Sequence, residues 1–293
     1  MAPHRARLVS VVLVTGTSSG IGRAAVHHLL GHGAIVVATA RRVADIQDLA
    51  QEGVEVLPLD VTDEASMQQA VATVIERHGR IDALVNNAGY GAYLPVEDTS
   101  LAAMQAMFDV NVFGAHRLTQ MVLAHMHKQS PGRGGLRGRI VNVSSIAGHL
   151  AIGMMGGYCA SKFALRALTT AMDQELRHFG IRASLVEPGR ILTRFGHRAL
   201  AETEKHASDR GPYGGMYRRW DRLRINEVGG KPDVIARQIR RACLARRPRF
   251  HYLAPWDAKS ANLAKRLLPD SWLNRAVAGY IQPRRQDREP RSP

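Results

Sequence analysis

Residues 12–22 read VLVTGTSSGIG, and this stretch decides the fold class. A short apolar run precedes Gly16, Gly20 and Gly22, and apolar residues at helical spacing follow them. Such glycines allow a tight turn and a close approach to a pyrophosphate, which the free N–H groups of the following helix would bind. A tight turn without a ligand is the plainer alternative, but the strand–turn–helix context favours dinucleotide binding. The predicted phosphate-binding residues are Gly16, Ser18, Ser19, Gly20, Ile21 and Gly22.

The first 190 residues repeat this alternation of short apolar runs and longer segments of helical period. We predict strands at Leu8–Val14, Ala34–Ala40, Val54–Leu59, Ile81–Asn86, Arg139–Ser144 and Ile181–Glu187. We predict helices at Gly20–His32, Val43–Glu52, Asp63–His78, Leu101–His127 and Gly157–Phe179. The pattern is typical of an α/β protein with a Rossmann-like, doubly wound parallel sheet and helices on both faces. A C-terminal helical extension follows, with a helix from Lys231 to Ala245, a strand at Arg249–Leu253 and one or two helices within Lys259–Ile281.

The composition excludes several classes of protein. The chain has 293 residues, of which 45% are apolar and 22% charged, as in a globular protein with a sizeable core. No apolar run approaches the roughly 18 residues that a membrane-spanning helix needs. Two cysteines cannot form a disulfide framework, and no Cys/His cluster has zinc spacing, so we expect no metal and a cytoplasmic location.

The net charge of +15 is concentrated in the C-terminal third. Residues 1–189 hold 16 Lys/Arg against 15 Asp/Glu, whereas residues 190–293 hold 24 against 10. Strong basicity can indicate nucleic-acid binding, but the chain has no recognisable nucleic-acid module. We therefore expect no nucleic-acid partner.

The end of the second predicted strand indicates which dinucleotide binds. An acidic residue there would accept hydrogen bonds from the ribose 2′-hydroxyl of NAD. This chain has Ala40 at that place, followed by Arg41 and Arg42, which can pair with a 2′-phosphate. Two solvated loop arginines are the plainer alternative. The sequence favours NADP over NAD.

Several separated motifs then identify a resemblance. NNAG spans Asn86–Gly89, Asn111 lies in DVNVFG, Ser145 precedes Tyr158 by thirteen residues, and Tyr158 opens YCASK. Together with the glycine stretch they resemble the classical short-chain dehydrogenase/reductase family over roughly residues 8–195. The ending of the chain is more weakly similar to longer members that act on steroids, retinoids or other lipophilic alcohols and ketones.

The resemblance implies a role for each matching residue. It makes Asn111, Ser145, Tyr158 and Lys162 the catalytic tetrad. Tyr158 and Lys162 also contact the cofactor, whose other implied contacts are Asp60, Val61, Asn87, Ala88, Gly89, Pro188, Gly189 and Thr193. We predict a single Rossmann-type catalytic domain over residues 8–282. An N-terminal arm (1–7) precedes it, and a polar tail (283–293), which we expect to be disordered, follows it. Within that domain we assign residues 190–230, which lack a clean period, to a substrate lid and residues 231–282 to a C-terminal cap.

The chemistry of an alcohol dehydrogenase explains why these residue types are needed. The cofactor carries the hydride, and the protein must exchange a proton at the substrate oxygen. A free tyrosine titrates near pH ~10, too high for a neutral base, and Lys162, one helical turn from Tyr158, can lower that value. Ser145 would hold the substrate oxygen and Asn111 a water leading to Lys162. Each residue alone has a structural explanation, and their combination favours catalysis.

The substrate side is predicted to be apolar. The loops at the carboxyl ends of the strands contain Tyr93, Leu94, Pro95, Leu150, Ile152, Met154, Met155, Phe195, Tyr213, Met216, Tyr217 and Trp220. A lipophilic ketone or secondary alcohol fits this composition best. Packing within a lid is an alternative for each residue, and Arg190, Arg194 and Arg198 could instead meet an anionic substrate end.

The overall prediction is an NADP(H)-dependent oxidoreductase that interconverts a secondary alcohol and a ketone, with Tyr158 as general acid/base. The alternative is a catalytically idle NADP-binding sensor or scaffold. A homo-oligomer, dimer or tetramer, is expected. An apolar stripe at helical spacing near the C-terminus is flanked by arginines, and it could contact a membrane surface or cover the protein's own pocket or a partner subunit. The stripe comprises Leu273, Ala276, Val277, Tyr280 and Ile281.

Overall fold

A seven-stranded, fully parallel sheet organises the molecule. The structure is a computed structural model that describes residues 9–206, 211–223 and 228–284. The strands are β1 (Val11–Val14), β2 (Ile35–Ala40), β3 (Glu55–Pro58), β4 (Ala83–Asn86), β5 (Gly138–Val143), β6 (Ile181–Pro188) and β7 (His251–Ala254). Their order in the sheet is β3-β2-β1-β4-β5-β6-β7. The predicted Rossmann-like fold class is confirmed.

Helices cover both faces of the sheet. They are α1 (Gly20–Leu30), α2 (Gln47–Gln51), α3 (Glu64–His78), α4 (Leu101–Phe108), α5 (Ala115–Met126), α6 (Gly156–Leu176), α7 (Arg194–His206), α8 (Gly214–Arg222), α9 (Pro232–Leu244), α10 (Trp256–Leu267) and α11 (Asp270–Ile281). Side chains alternate along β1, so that Val12 and Val14 pack with α1 and α9 residues, while Val11 and Leu13 pack with residues of α3 and α5. Both faces of a doubly wound sheet are therefore buried, as the continuous apolar strands require.

The predicted helix Leu101–His127 contains an interruption. Residues Asp109–Gly114, between α4 and α5, form a turn of π-helix, which holds more residues per turn than the α-helix on either side. Asn111 lies inside this turn and is only 1% exposed. The π-turn is what directs a polar side chain into the interior.

Two helices that were not predicted, α7 and α8, lie within residues 190–230, where the sequence shows no clean period. Their buried positions are few, and arginines lie among them. Ala199 and Thr203 are buried one turn apart on α7, and Tyr217 and Trp220 are buried on α8. Such narrow apolar faces between charged residues are hard to recognise in sequence.

The C-terminal region forms two helices, within the predicted range of one or two. Of the predicted apolar stripe, Leu273 and Ile281 are buried, whereas Tyr280 is 42% exposed. The stripe is thus partly self-packed. None of the described helices is both long enough and apolar enough to cross a bilayer. The predicted arm (1–7) and nearly all of the predicted tail (283–293) lie outside the described residues, and the predicted domain boundaries stay predictions.

Candidate active site

The glycine stretch forms a tight cradle at the carboxyl end of β1. Gly16 has φ +69°, and a Cβ there would lie 2.9 Å from the Ala88 Cα. The Thr17 backbone N–H donates to the Thr39 carbonyl at 3.0 Å, which ties the turn to the end of β2. The Asn87 side chain donates to the carbonyls of Thr15 and Gly16 at 2.9 and 3.1 Å. These contacts leave no space for a side chain at Gly16.

The residues present fit a dinucleotide. Ser19 is the N-cap of α1 but forms no side-chain cap hydrogen bond, so the first turn of the helix keeps N–H groups that can bind an anion. Ser18, Gly20, Ile21 and Gly22 lie at or beside this turn, as predicted. On the opposite side, Thr193 lies against Gly20, where a Cβ would be 3.1 Å from the Thr193 Cβ. The glycine turn and Thr193 could therefore enclose a pyrophosphate.

The two arginines after β2 differ in their contacts. Arg42 is 78% exposed in its side chain and pairs with Asp45 at 2.8 Å. Arg41 is also exposed, and no hydrogen bond or ion pair of its side chain occurs within the described part of the chain. A 2′-phosphate would therefore meet an uncommitted guanidinium at Arg41 and a partly neutralised one at Arg42.

The other predicted adenosine-side residues lie at the same edge of the sheet. The Asp60 carboxylate accepts from the backbone and the hydroxyl of Thr62, at 2.9 and 2.8 Å, which fixes its orientation after β3. Val61 is 7% exposed, while Asn87 and Ala88 are half-buried and Gly89 is exposed. The Ala88 N–H donates to the Thr15 hydroxyl at 3.0 Å. These contacts join the NNAG segment to the cradle.

Tyr158, Lys162 and Ser145 come together where α6 faces the end of β5. Both α6 side chains are buried, with 7% exposure for Tyr158 and 5% for Lys162. Lys162 Nζ donates to the Val143 carbonyl at 3.1 Å and lies 5.7 Å from the centroid of the Tyr158 ring. The Ser145 side chain lies beside Tyr158, close enough to affect the pKa of its hydroxyl. The structure thus brings together three of the four predicted catalytic residues.

Burial is the largest influence on the pKa of Tyr158 and on that of Lys162. Burial raises the pKa of Tyr158, and the neighbouring Ser145 side chain only partly opposes this. Burial also lowers the pKa of Lys162 to about 8. In the chain without its cofactor, desolvation of the phenolate is thus the larger effect, and the lowering of the Tyr158 pKa by Lys162 together with the oxidised nicotinamide stays a prediction.

Asn111, the fourth predicted catalytic residue, contacts the site indirectly. Its Oδ1 accepts the Tyr90 N–H at 3.0 Å, and its Nδ2 donates to the Tyr90 carbonyl at 2.9 Å and the Ser161 hydroxyl at 3.0 Å. These bonds occupy the polar atoms of the Asn111 side chain and join the loop after β4 to α6, next to Lys162. Within the described residues, Asn111 forms no direct hydrogen bond with Lys162.

The loop that begins at Pro188 and Gly189 lies at the end of β6. The Gly189 N–H donates to the Ala254 carbonyl at 2.9 Å, and the Arg190 N–H donates to the Asp257 carboxylate at 2.9 Å. Asp257 fills the space that a Cβ at Gly189 would need. The sequence analysis did not single out Asp257, since nothing local relates it to a residue 68 positions earlier.

A buried cluster of ionisable side chains next to this loop was also not predicted from the sequence. Glu187 accepts from the rings of His149 and His251 at 2.7 and 2.8 Å. One signal was available: Glu187 interrupts an apolar strand, and a buried carboxylate requires partners.

Apolar residues of the lid cover Tyr158. The Phe195 ring lies 5.4 Å from the Tyr158 ring, and Tyr93 lies 5.1 Å from Trp220. Most of the predicted substrate-side residues belong to these two adjoining apolar clusters. Phe195 therefore covers one side of the Tyr158 ring.

The parallel sheet, the glycine cradle and the buried Tyr–Lys–Ser group define a dinucleotide-dependent oxidoreductase. The family described as short chain dehydrogenase matches residues 10–204. Human retinol dehydrogenase 5 is 33% identical over 292 residues, covering 93% of this chain and 89% of that protein. A short-chain dehydrogenase from Streptomyces avermitilis is 32% identical with a TM-score of 0.74, covering 92% of this chain and 96% of that one. A metagenomic short-chain oxidoreductase solved with NADP is 28% identical with a TM-score of 0.64, covering 85% of this chain and 98% of that one.

The chain belongs to the short-chain dehydrogenase family. It is a dehydrogenase/reductase enzyme, and its cofactor is a nicotinamide dinucleotide.

Proposed function

We propose that the protein is an NADP(H)-dependent oxidoreductase that interconverts a lipophilic secondary alcohol and the corresponding ketone. The observation that carries this proposal is the grouping of buried Tyr158 and Lys162 with Ser145, at the sheet edge that also holds the glycine cradle. A buried lysine whose pKa is lowered, next to a buried tyrosine, is typical of catalytic sites and favours the enzyme over an idle sensor or scaffold.

When bound, the cofactor supplies or accepts a hydride at the carbinol carbon. The Ser145 hydroxyl donates to the substrate oxygen and sets its distance from Tyr158. The Tyr158 hydroxyl then gives a proton to that oxygen in reduction, or takes one from it in oxidation. Lys162 stabilises the phenolate electrostatically. Asn111 joins α6 to the loop after Gly89 through its hydrogen bonds to Ser161 and Tyr90. Closure of Phe195 over Tyr158 excludes water from the proton transfer.

The preference for NADP rests on Arg41. Its exposed guanidinium follows β2 where no carboxylate is present to repel a 2′-phosphate. The solved relative with NADP supports the same choice.

The lipophilic substrate class rests on the two apolar clusters under the lid. Tyr93, Met154 and Tyr217 are each no more than 4% exposed and surround Trp220. The Trp220 indole N–H is buried without a hydrogen-bond partner among the described residues, so it can donate to a second oxygen of a bound substrate. The relationship to retinol dehydrogenase 5 supports this class. Arg190 and Arg194 instead bond to Asp257 and to the Ser18 carbonyl, which argues against an anionic substrate end.

The deciding experiment measures NADPH oxidation with a panel of hydrophobic ketones of increasing size, each compared with a short polar ketone. We expect turnover that improves with apolar size. Tight NADPH binding without turnover of any ketone or alcohol would favour the sensor or scaffold.

We also propose that the protein is a homo-oligomer with a cytoplasmic location. The proposed contact surface is the outer face of the π-turn and α6, where Phe113, Phe163 and Leu168 are 57%, 41% and 38% exposed. Light scattering of the wild type and of Phe113→Glu tests it. A monomer at micromolar concentration in the wild type would contradict the proposed oligomer.

A peripheral contact with anionic membrane lipid is the last part of the proposal. One face of α10 carries Trp256, Leu263 and Leu267, which are 77%, 56% and 71% exposed; we call these three residues the α10 stripe. Lys259 and Arg266 are exposed on the same helix. Because residues 190–293 hold 24 Lys/Arg against 10 Asp/Glu, a second copy would bring like charge, whereas an anionic bilayer brings opposite charge.

A further inference from the structure

A hydrogen-bonded chain of ionisable side chains runs beneath the loop that begins at Pro188. Glu187 is 0% exposed, and its two carboxylate oxygens accept separately from His149 Nε2 at 2.7 Å and from His251 Nδ1 at 2.8 Å. His149 is 5% exposed, and its other ring nitrogen, Nδ1, contacts Arg166 Nη1. Burial alone would raise the pKa of Glu187, but the two histidine hydrogen bonds lower it to about 2.

The direction of these hydrogen bonds fixes the tautomer of His149. A guanidinium can only donate, so Nδ1 of His149 accepts from Arg166 and its proton lies on Nε2, facing Glu187. The three side chains His149, Glu187 and His251 could hold a metal ion by spacing alone. A metal would need the Nε2 lone pair, which the proton occupies, and it would lie near the Arg166 charge. The arrangement therefore favours proton-mediated bonds over metal ligation.

These hydrogen-bonded side chains join four structural elements that carry the candidate active site. His149 follows the short turn that begins at Ser145, and Arg166 lies one helical turn after Lys162 on α6. Glu187 immediately precedes Pro188, and His251 begins β7. The Ser144 hydroxyl also donates to the Lys162 carbonyl at 3.3 Å, which joins the residue before Ser145 to α6.

We propose that His149, Glu187 and His251, with Arg166, position the Ser145 turn and the Pro188 loop relative to each other, and thereby set the distance between the substrate oxygen and the nicotinamide ring. They are positioning residues, because none of them needs to touch the substrate. The kinetic part of this inference rests on the proposed dehydrogenase function.

The principal test replaces Glu187 with Gln, which keeps the size of the side chain and removes the acceptor for one histidine. The matched control is Asp173→Asn. Asp173 is a carboxylate, 2% exposed, that also joins α6 to β6, through Arg182 at 2.8 Å and the Ala183 N–H at 3.1 Å. We expect Glu187→Gln to lower kcat roughly 10- to 100-fold per folded molecule, the effect of one lost hydrogen bond to a charged group. Asp173→Asn should lower thermal stability with little change in kcat.

A primary deuterium isotope effect with NADPH deuterated at the transferred position separates positioning from folding. A misplaced substrate slows hydride transfer, so the isotope effect on kcat should rise in Glu187→Gln and stay at the wild-type value in Asp173→Asn. An unchanged isotope effect in Glu187→Gln, with kcat lost only in proportion to unfolded protein, would overturn the proposal.

Two substitutions of His251, one conservative and one not, provide an independent test. An Asn amide can place a donor where His251 Nδ1 lies, whereas Leu cannot. We expect His251→Asn to retain most of the wild-type kcat and His251→Leu to behave like Glu187→Gln. Equal losses in the two variants would contradict the proposal.

Two readouts do not depend on turnover. The fluorescence of bound NADPH reports the nicotinamide environment, and it should move towards that of free NADPH in Glu187→Gln but not in Asp173→Asn. If wild type turns over no ketone, the proposed function fails while this readout still tests the network. Visible absorption bands of tetrahedral Co²⁺ in the wild type that disappear in Glu187→Gln would overturn the proposal in favour of a metal site.

Discussion

The Asp257 carboxylate, in the first turn of α10, accepts the backbone N–H of Arg190 at 2.9 Å across the carboxyl edge of the sheet. Asp257 therefore binds the loop after Gly189 through the backbone of that loop. Glu187, which lies just before the loop, is held by His149 and His251. A helix of the predicted C-terminal cap thus contributes directly to the shape of the candidate active site.

Asp257→Ala should loosen the loop after Gly189, which lies at the predicted nicotinamide end of the candidate site. The Arg190 N–H would lose its acceptor, so we expect kcat to fall about 10-fold, the effect of a hydrogen bond to a charged group. Asp257→Asn keeps an acceptor oxygen and serves as the control. Steady-state kinetics should rank wild type, Asn and Ala in that order, and indistinguishable Asn and Ala variants would argue against this role.

Tyr158→Phe should remove turnover and leave NADPH binding nearly intact, since only the proton donor is lost. General acid–base catalysis is worth roughly 100- to 10,000-fold, which sets the expected loss in kcat. Fluorescence titration with NADPH provides the binding control. Lys162→Ala should impair both binding and turnover. Substantial turnover by Tyr158→Phe would exclude the tyrosine mechanism.

Arg41→Ala should raise the KM for NADPH roughly 10- to 100-fold and the KM for NADH very little, because a charged hydrogen bond to the 2′-phosphate is lost. Arg42→Ala is the matched control. Arg42 already pairs with Asp45, so its loss should have the smaller effect. A wild type that prefers NADH, or an unchanged cofactor ratio in Arg41→Ala, would reject the NADP assignment.

Because of Lys162, the free energy of unfolding should rise as the pH increases from about 8 to about 10.5. Its pKa is about 8 in the folded chain against 10.5 for a fully solvated lysine side chain, so the unfolded state binds more protons between these values. The destabilising effect of the buried cation is complete below about pH 8 and is lost as the pH rises towards about 10.5, a change of about 3 kcal/mol. Urea denaturation of wild type and Lys162→Met, without cofactor, measures it. The difference between the two proteins should shift by that amount, and a constant difference would refute the assignment.

The α10 stripe should bind vesicles that contain anionic lipid. Replacing Leu263 and Leu267 with Ser should abolish co-sedimentation, and high salt should weaken it in the wild type. Val96→Ser is the control, because Val96 is 68% exposed and lies outside α10. Sedimentation that is absent at low salt, or equal in the Leu variant, would leave α10 without a membrane role.

The sheet and the cradle could be predicted from sequence because both are local. Apolar runs mark the buried strands, and the glycines at 16, 20 and 22 act within a single turn. The proximity of Tyr158 and Lys162 follows from helical periodicity alone. These features need no knowledge of distant contacts.

The parts that could not be predicted depend on tertiary contacts. Glu187 reaches His149 and His251 across separations of 38 and 64 residues, and Asp257 reaches Arg190 across 67. The direction of the Tyr158 pKa shift also depends on burial by Phe195 and the lid, which no local pattern reports. The narrow apolar faces of α7 and α8 were obscured by arginines.

The π-turn at Asp109–Gly114 holds one residue more than a regular α-helical turn needs. Deleting one residue there would restore a regular α-helix while α4 and α5 keep their present faces, so that Leu118 and Val122 stay in the core. The change would fall on Asn111, which lies inside the turn and is buried because of it. One residue of chain length in this helix therefore separates an interior amide from an ordinary helix surface.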